Sequence, residues 1–309
     1  MRKPKIGLVL GSGSAKGLAH IGVLKVLERE NIKIDCISGS SIGAIVGGLY
    51  AKGYSAKELE DIALNITKKD VYEYIDFSPS LQGIIAGEKI LEFLKSLLGD
   101  IEFSHLKIPF LAVAVDLITG EKIIFTKGKV VPAIRGSISI PVIFKPYPLD
   151  NKLLIDGGVL SPLPVEELKE FQKPDLVIAV NLQSPPHWEP RGKDFFSEIP
   201  IEPKSFPEKI IYKLSQTDVF REFQKRLNPL FNPSLLEVLM QTISIMSWEI
   251  ALKNIKLADI VLSPKVENYR SFDFDKGKEL ITLGEEIAQQ ELPKIKELIK
   301  RKGKRFLWF

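Results

Sequence analysis

Gly39-Ser40-Ser41-Ile42-Gly43 reads G-x-S-x-G and follows the apolar run Ile34-Asp35-Cys36-Ile37. A serine in that pattern sits on the sharp turn between a strand and a helix. The turn lifts its hydroxyl to where a substrate carbonyl can reach it. The chemistry would be nucleophilic attack and an acyl-enzyme. In a chain with 22 glycines, chance supplies such a match in about one chain of nine. Ser41 therefore needs company: a base to take its proton and a site to hold the developing anion.

Gly11-Ser12-Gly13-Ser14-Ala15-Lys16-Gly17 follows the first apolar run and precedes a helical pattern. Small residues let the backbone turn until several N–H groups converge, and a helix N-terminus adds positive potential. Such a loop is an anion site. One reading is a dinucleotide-binding turn. Its spacing, G-x-G-x-x-x-G, is one residue longer than that fingerprint, and the Ser41 elbow stands where the acidic residue should follow. The other reading is an oxyanion hole serving Ser41. It is favoured because both motifs end early strands that can lie side by side.

For the base there are three histidines. His20 falls one turn into the first helix and reads as a packed or capping residue. His105 reads as a surface residue. The order Ser41, Asp156, His187 would suit an α/β-hydrolase triad, but hydrolases of that type place the nucleophile after several strands rather than the second. Asp156 is better placed. It closes the strand-like Lys152-Leu153-Leu154-Ile155, and Gly157-Gly158 after it allow a tight turn. An Asp-Gly pair on its own is usually only a turn.

The positioning elements alternate. Residues 5–10, 34–38, 108–116, 122–126, 153–155, 176–181 and 258–262 read as strands. Residues 18–29, 42–51 and 88–98 read as helices, with a helix over 274–300 interrupted near Pro293. Gly53 ends the second helix, and Ser55-Ala56-Lys57-Glu58 offers a capping box for the next. Near-continuous apolar strands alternating with helices predict an α/β fold: a three-layer α/β/α sandwich with a mostly parallel central sheet. Residues 6–166 carry all three motifs. Residues 167–309 are expected to complete the same domain. They include a proline-rich stretch over 184–207, which suits either a lid or a surface connection. Leu235, Leu236, Leu239, Met240, Ile243, Met246 and Ile250 form a helical stripe that reads as core.

The chain has 309 residues, is 45% hydrophobic and 27% charged, and carries one Cys. An intramolecular disulfide is excluded, which fits a reducing, cytoplasmic setting. The apolar run after Met1-Arg2-Lys3-Pro4-Lys5 is too short for a signal peptide, and no run is long enough to span a membrane. A net charge of +4 does not argue for nucleic acid. Lys294, Lys296, Lys300, Arg301, Lys302, Lys304 and Arg305 cluster before Phe306-Leu307-Trp308-Phe309. This basic, aromatic tail over 294–309 suits either a peripheral membrane anchor or a solvated helix end.

Taken together, the Gly-rich loop, the Ser41 elbow and Asp156-Gly157-Gly158 resemble the patatin-like phospholipases. Gly17-Leu18-Ala19-His20-Ile21-Gly22-Val23-Leu24 is similar to that family's first helix, and Ala133-Ile134-Arg135-Gly136-Ser137-Ile138-Ser139-Ile140-Pro141 to the segment before its aspartate. The resemblance implies a patatin-like fold and a lipid acyl hydrolase working through a Ser41–Asp156 dyad without histidine. Gly13, Ser14 and Ala15 would donate oxyanion N–H groups, and Lys16 would take the family's basic position. It implies no metal and no cofactor. The partner would be a lipid or other acyl ester, met at a membrane or micelle. Ser12-Gly13-Ser14 departs from the usual three-glycine run, which narrows the backbone angles open to Ser12 and Ser14. The rival readings are a Ser–Asp–His esterase using His187 and a non-catalytic lipid- or nucleotide-binding adaptor.

Overall fold

The computed structural model describes residues 3–66, 77–80, 83–185 and 235–305. By compactness the chain forms two units, Met1–Pro185 with Ile245–Phe309, and Pro186–Ser244. The first half runs β1 (Ile6–Leu10), α1 (Ala19–Arg29), β2 (Cys36–Ser40), α2 (Ile42–Lys52), α3 (Ala56–Asn65), a small hairpin β3 (Phe77–Ser80) and β4 (Gly83–Ile85), α4 (Glu88–Leu98), β5 (Phe110–Asp116) and β6 (Lys122–Phe125). It continues with α5 (Val130–Ser137), β7 (Tyr147–Leu149), β8 (Lys152–Asp156), α6 (Val165–Gln172), β9 (Leu176–Val180), α7 (Leu235–Ile255), β10 (Ile260–Leu262) and α8 (Gly277–Arg305). Ser184 and Pro185 open the proline-rich stretch, and the rest of it lies outside the described residues.

The main sheet has the order β10-β9-β1-β2-β5-β8-β7, with β6 also paired to β5. From β10 to β5 every pairing is parallel, whereas β6, β8 and β7 join antiparallel. The central strands are buried throughout, so their side chains alternate between two cores. Leu8, Leu10, Ile37, Ala112 and Ile178 meet the larger core with α1, α2, α5 and α8. Val9, Cys36, Leu111, Val113 and Val177 meet a smaller core with α6. The three-layer α/β arrangement expected from the strand–helix alternation is the one observed.

Several local signals act as their chemistry requires. Gly53 caps α2 at φ 116°, and Ser55 and Glu58 form the reciprocal capping box of α3. Helix α1 lies backbone to backbone on α8. A Cβ on Gly22 would fall 1.9 Å from the Ile281 carbonyl oxygen, and one on Gly284 equally close to that of Ala19. This crossing holds α1, and with it the loop that precedes α1, against the body.

Three expectations are corrected. Strand β2 starts at Cys36 rather than Ile34, because Asp35 turns its carboxylate to the Ile6 N–H at 2.8 Å. Helix α8 is continuous through Pro293. Leu292, Ile295 and Leu298, all buried, bracket the proline and hold the helix against its cost of about 3 kcal/mol. Among the described side chains of the α7 stripe none is buried: Leu239 is 37% and Met246 48% exposed, and Met240, Ile243 and Ile250 are half-buried. The buried face is instead that of Ser247 and Ala251, where short side chains allow a close approach and Ser247 Oγ donates to the Gly158 carbonyl at 3.1 Å.

Candidate active site

Two strands meet end to end along one edge of β5. Strand β2 runs parallel to β5 and stops where Ser40 lies opposite Val113. Strand β8 runs antiparallel and ends its pairing at Asp156, opposite Ala114. Strand β6 occupies the other edge at the same residues. Consecutive positions on one strand thus bring Ser41 and Asp156 together from far apart in the chain.

Ser41 turns the chain at φ 54°, ψ −124°, a conformation that costs a side-chain-bearing residue about 1–3 kcal/mol. Both glycines of the elbow are sterically required. A Cβ on Gly43 would sit 2.1 Å from the Leu10 carbonyl oxygen, and one on Gly39 2.4 Å from that of Gly43. With the turn held this way, Ser41 Oγ donates to Asp156 Oδ2 at 2.6 Å. The other carboxylate oxygen, Oδ1, accepts from the Gly158 N–H at 2.7 Å. A Cβ on Gly157 would strike the Val113 carbonyl oxygen at 2.2 Å, and one on Gly158 would lie 2.9 Å from both Asp156 Oδ1 and Ser12 Oγ. Burial pushes the Asp156 carboxyl up to about 6, against the pull of its two hydrogen bonds. That raises its basicity toward the working pH of a general base.

The glycine loop flanks this pair. Gly17 abuts the side chain of Ile42, the residue that follows Ser41. The N–H groups of Gly11, Ser12 and Lys16 donate to Val180, Pro162 and Gly13 carbonyls. Lys16 lies half-buried in the short 3-10 turn Ser14–Leu18. Ser12 also accepts from Gln183 Nε2, through its carbonyl at 2.9 Å and its hydroxyl at 3.1 Å. Among the described residues, no hydrogen bond engages the N–H of Gly13 or Ser14. Ala15, expected as a third oxyanion donor, differs: its N–H donates to the Ser271 carbonyl at 3.0 Å. Ser14 reaches its position at φ 50°, in the left-handed region that a glycine would enter freely.

Histidine plays another part here. His20 is buried, with Nε2 2.8 Å from the Gly11 carbonyl oxygen. A carbonyl only accepts, so Nε2 carries the proton and the buried Nδ1 is left without a partner. Burial pushes the imidazole down to about 4, more than the Gly11 bond raises it, so His20 is neutral at pH 7 and pins the loop. His105 is exposed. His187 lies outside the described residues, and the direct 2.6 Å contact between Ser41 and Asp156 leaves no room for an imidazole between them. Among the described residues, no three His, Cys, Asp or Glu side chains gather as a metal site, and no helix is long and apolar enough to cross a membrane.

The arrangement matches a known sequence family. The profile described as "Patatin-like phospholipase" fits residues 8–169. The chain belongs to the patatin-like phospholipase family. An uncharacterized NTE family protein of Mycobacterium bovis is 41% identical over 179 residues, covering 58% of this chain and 49% of the relative. The chain thus spans about half the length of the mycobacterial relatives it matches. A protein named Lysophospholipase NTE1, from the yeast Lodderomyces elongisporus, is 27% identical over 312 residues, covering 96% of this chain and 20% of the relative. Among solved structures, VipD from Legionella pneumophila aligns over 97% of this chain and 67% of its own, at 14% identity and a TM-score of 0.48. The patatin profile ends at residue 169, yet β9 and β10 beyond it pair with β1 and with each other in the same sheet.

Two further serines, with no motif of their own in the sequence, contact the backbone of Ser41 and Asp156. Ser137 Oγ accepts the Ser41 N–H at 3.0 Å, and the Ser139 carbonyl accepts the Asp156 N–H at 2.9 Å. Their only signal was membership of the segment before the aspartate, with no spacing to tie them to either partner.

Proposed function

We propose that the protein is a serine lipid acyl hydrolase that cleaves carboxylic esters through a Ser41–Asp156 dyad. The observation that carries the reading is the 2.6 Å hydrogen bond from Ser41 Oγ to a buried carboxylate whose basicity is raised. Asp156 accepts the Ser41 proton as Oγ attacks the acyl carbonyl carbon. The oxyanion formed is met by the open N–H groups of Gly13 and Ser14, each such donor being worth about 10²–10³ in rate. Protonated Asp156 then gives its proton to the leaving alcohol oxygen as the ester C–O bond breaks. In the second half-reaction a water loses its proton to the same carboxylate and attacks the acyl-enzyme. The proton returns to Ser41 Oγ as the fatty acid leaves.

The lysophospholipase names carried by yeast relatives support a lysophospholipid or similar lipid ester as substrate. Reaching an aggregated lipid calls for peripheral contact. Lys300 and Arg301, exposed on the last turns of α8, form no ion pair with the described residues and supply positive charge for it. Much of the remaining basic tail is engaged, Lys296 with Glu30 and Lys302 with Asp259.

The test is labelling with a fluorophosphonate probe alongside release of fatty acid from a lysophospholipid. Label on Ser41, lost with release in Ser41→Ala and strongly reduced in Asp156→Ala, is expected. Wild-type protein that neither labels nor releases fatty acid, while a known serine hydrolase does both, would favour the adaptor reading. Normal activity in Asp156→Ala would sink the dyad.

A further inference from the structure

Ser41 leaves the sheet at the end of β2, and its N–H, buried at the elbow, needs an acceptor. None comes from β5, whose pairing with β2 stops at Ser40. The acceptor is Ser137 Oγ at 3.0 Å, on the last residue of α5. Two residues on, the Ser139 carbonyl accepts the Asp156 N–H at 2.9 Å. One turn, Ser137-Ile138-Ser139, therefore grips the backbone of both dyad members. We infer that this turn is a brace setting the Ser41–Asp156 separation, with Ser137 as a positioning residue for the nucleophile. The inference rests on the dyad reading above.

The brace is itself fixed. Ser139 Oγ accepts from Arg135 Nη1 at 2.7 Å and donates back to the Arg135 carbonyl at 2.9 Å. The Arg135 guanidinium reaches the Ala86 carbonyl at 2.8 Å and that of Gly87 at 3.1 Å, ahead of α4. It also lies 5.3 Å from each of the Phe144 and Tyr147 ring centres, a cation–π distance. Arg135, Ser137 and Ser139 are all buried, so solvent cannot substitute for a lost bond.

Helix capping is the plainer account of serines at a helix end, where the hydroxyl bonds back to its own turn. Ser139 does that. Ser137 instead takes its hydrogen bond from Ser41, 96 positions away in sequence. That difference assigns Ser137 to the nucleophile rather than to its helix. Without the acceptor, the strained Ser41 backbone loses a restraint and Oγ drifts from its line of attack. A displacement near 1 Å at a reacting group costs on the order of 10²-fold.

The experiment compares wild type, Ser137→Ala, Ser137→Thr and Ser137→Cys in turnover of a soluble chromogenic ester, fluorophosphonate labelling rate and thermal midpoint. Ser137→Ala should lower kcat and labelling by about 10²-fold with KM within twofold, and leave the pH of the acidic limb in place. Ser137→Thr, which keeps an Oγ acceptor, should recover most of the rate, and Ser137→Cys, a weak acceptor, should fall between. Should Ser137→Ala not fold, the Thr and Cys pair carries the test. A Cys variant at the wild-type rate, an Ala variant within twofold of wild type, or losses confined to KM would overturn the brace while leaving the dyad standing. Wild type inert toward ester and probe removes the dyad reading, and the brace with it.

Discussion

Replacing Asp156 by Asn should abolish activity and stabilise the protein, with a pH dependence of known sign. In the folded chain the carboxyl is moved from an ordinary value of 3.8 up to about 6. That change corresponds to about 3 kcal/mol in the free energy of ionisation. The raised value means the favourable contribution of the protonated acid is fully present below 3.8. It is lost as pH rises through about 6, so the ionised carboxylate burdens the fold above that. Asparagine keeps the shape without the charge. Its carbonyl can accept the Gly158 N–H, and its amide can donate to Ser41 Oγ in place of the bond now running the other way. Allowing for that reversal, Asp156→Asn should be more stable than wild type by about 1–3 kcal/mol at pH 8, with the difference fading below pH 4. Urea unfolding of both proteins from pH 4 to pH 8 measures this directly. An Asn variant no more stable than wild type at pH 8, or an advantage constant across the range, would refute the argument that burial of Asp156 raises its basicity.

The same value predicts that kcat/KM on a soluble ester rises about tenfold per pH unit up to about pH 6 and levels above it. An acidic limb below pH 5 would remove Asp156 as the base. Gly43→Ala drives a Cβ to 2.1 Å from the Leu10 carbonyl oxygen and should lower stability by about 3 kcal/mol. A urea midpoint near wild type would mean the elbow can open without loss. Lys300→Glu with Arg301→Glu should weaken sedimentation with anionic lysophospholipid-containing vesicles by tenfold or more, each cation near such a surface being worth about 1 kcal/mol. Unchanged sedimentation would assign membrane contact elsewhere.

Much of the site is legible because its residues carry local steric signatures. Gly39 and Gly43 mark the elbow since no side chain fits at either position. Gly157 and Gly158 mark the Asp156 turn for the same reason. Gly53 and the Ser55–Glu58 box announce helix ends through bonds made within a few residues. What escaped the reading depends on distant partners. The Ala15 N–H looks as free as its neighbours until Ser271 arrives from the far end of the chain. Pro293 looks like a break until buried Leu292 and Ile295 hold its helix to the body. The stripe on α7 looks like core because periodicity shows that a helix has an apolar face, but not which face its neighbours cover.

The sequence by itself singled out Ser41 as candidate nucleophile, Asp156 as candidate base, the candidate anion loop and the alternating α/β order, because glycine sterics and hydrophobic period act over a few residues. Only the tertiary structure decided that Ser41 and Asp156 touch. Their contact depends on β2 and β8 ending at adjacent positions on one edge of β5, and register between strands is set by the packing of both sheet faces. Burial in the same packing raises the basicity of Asp156 and closes Ser137 onto the elbow. Local chemistry thus chose the residues, and long-range packing chose the distances at which they act.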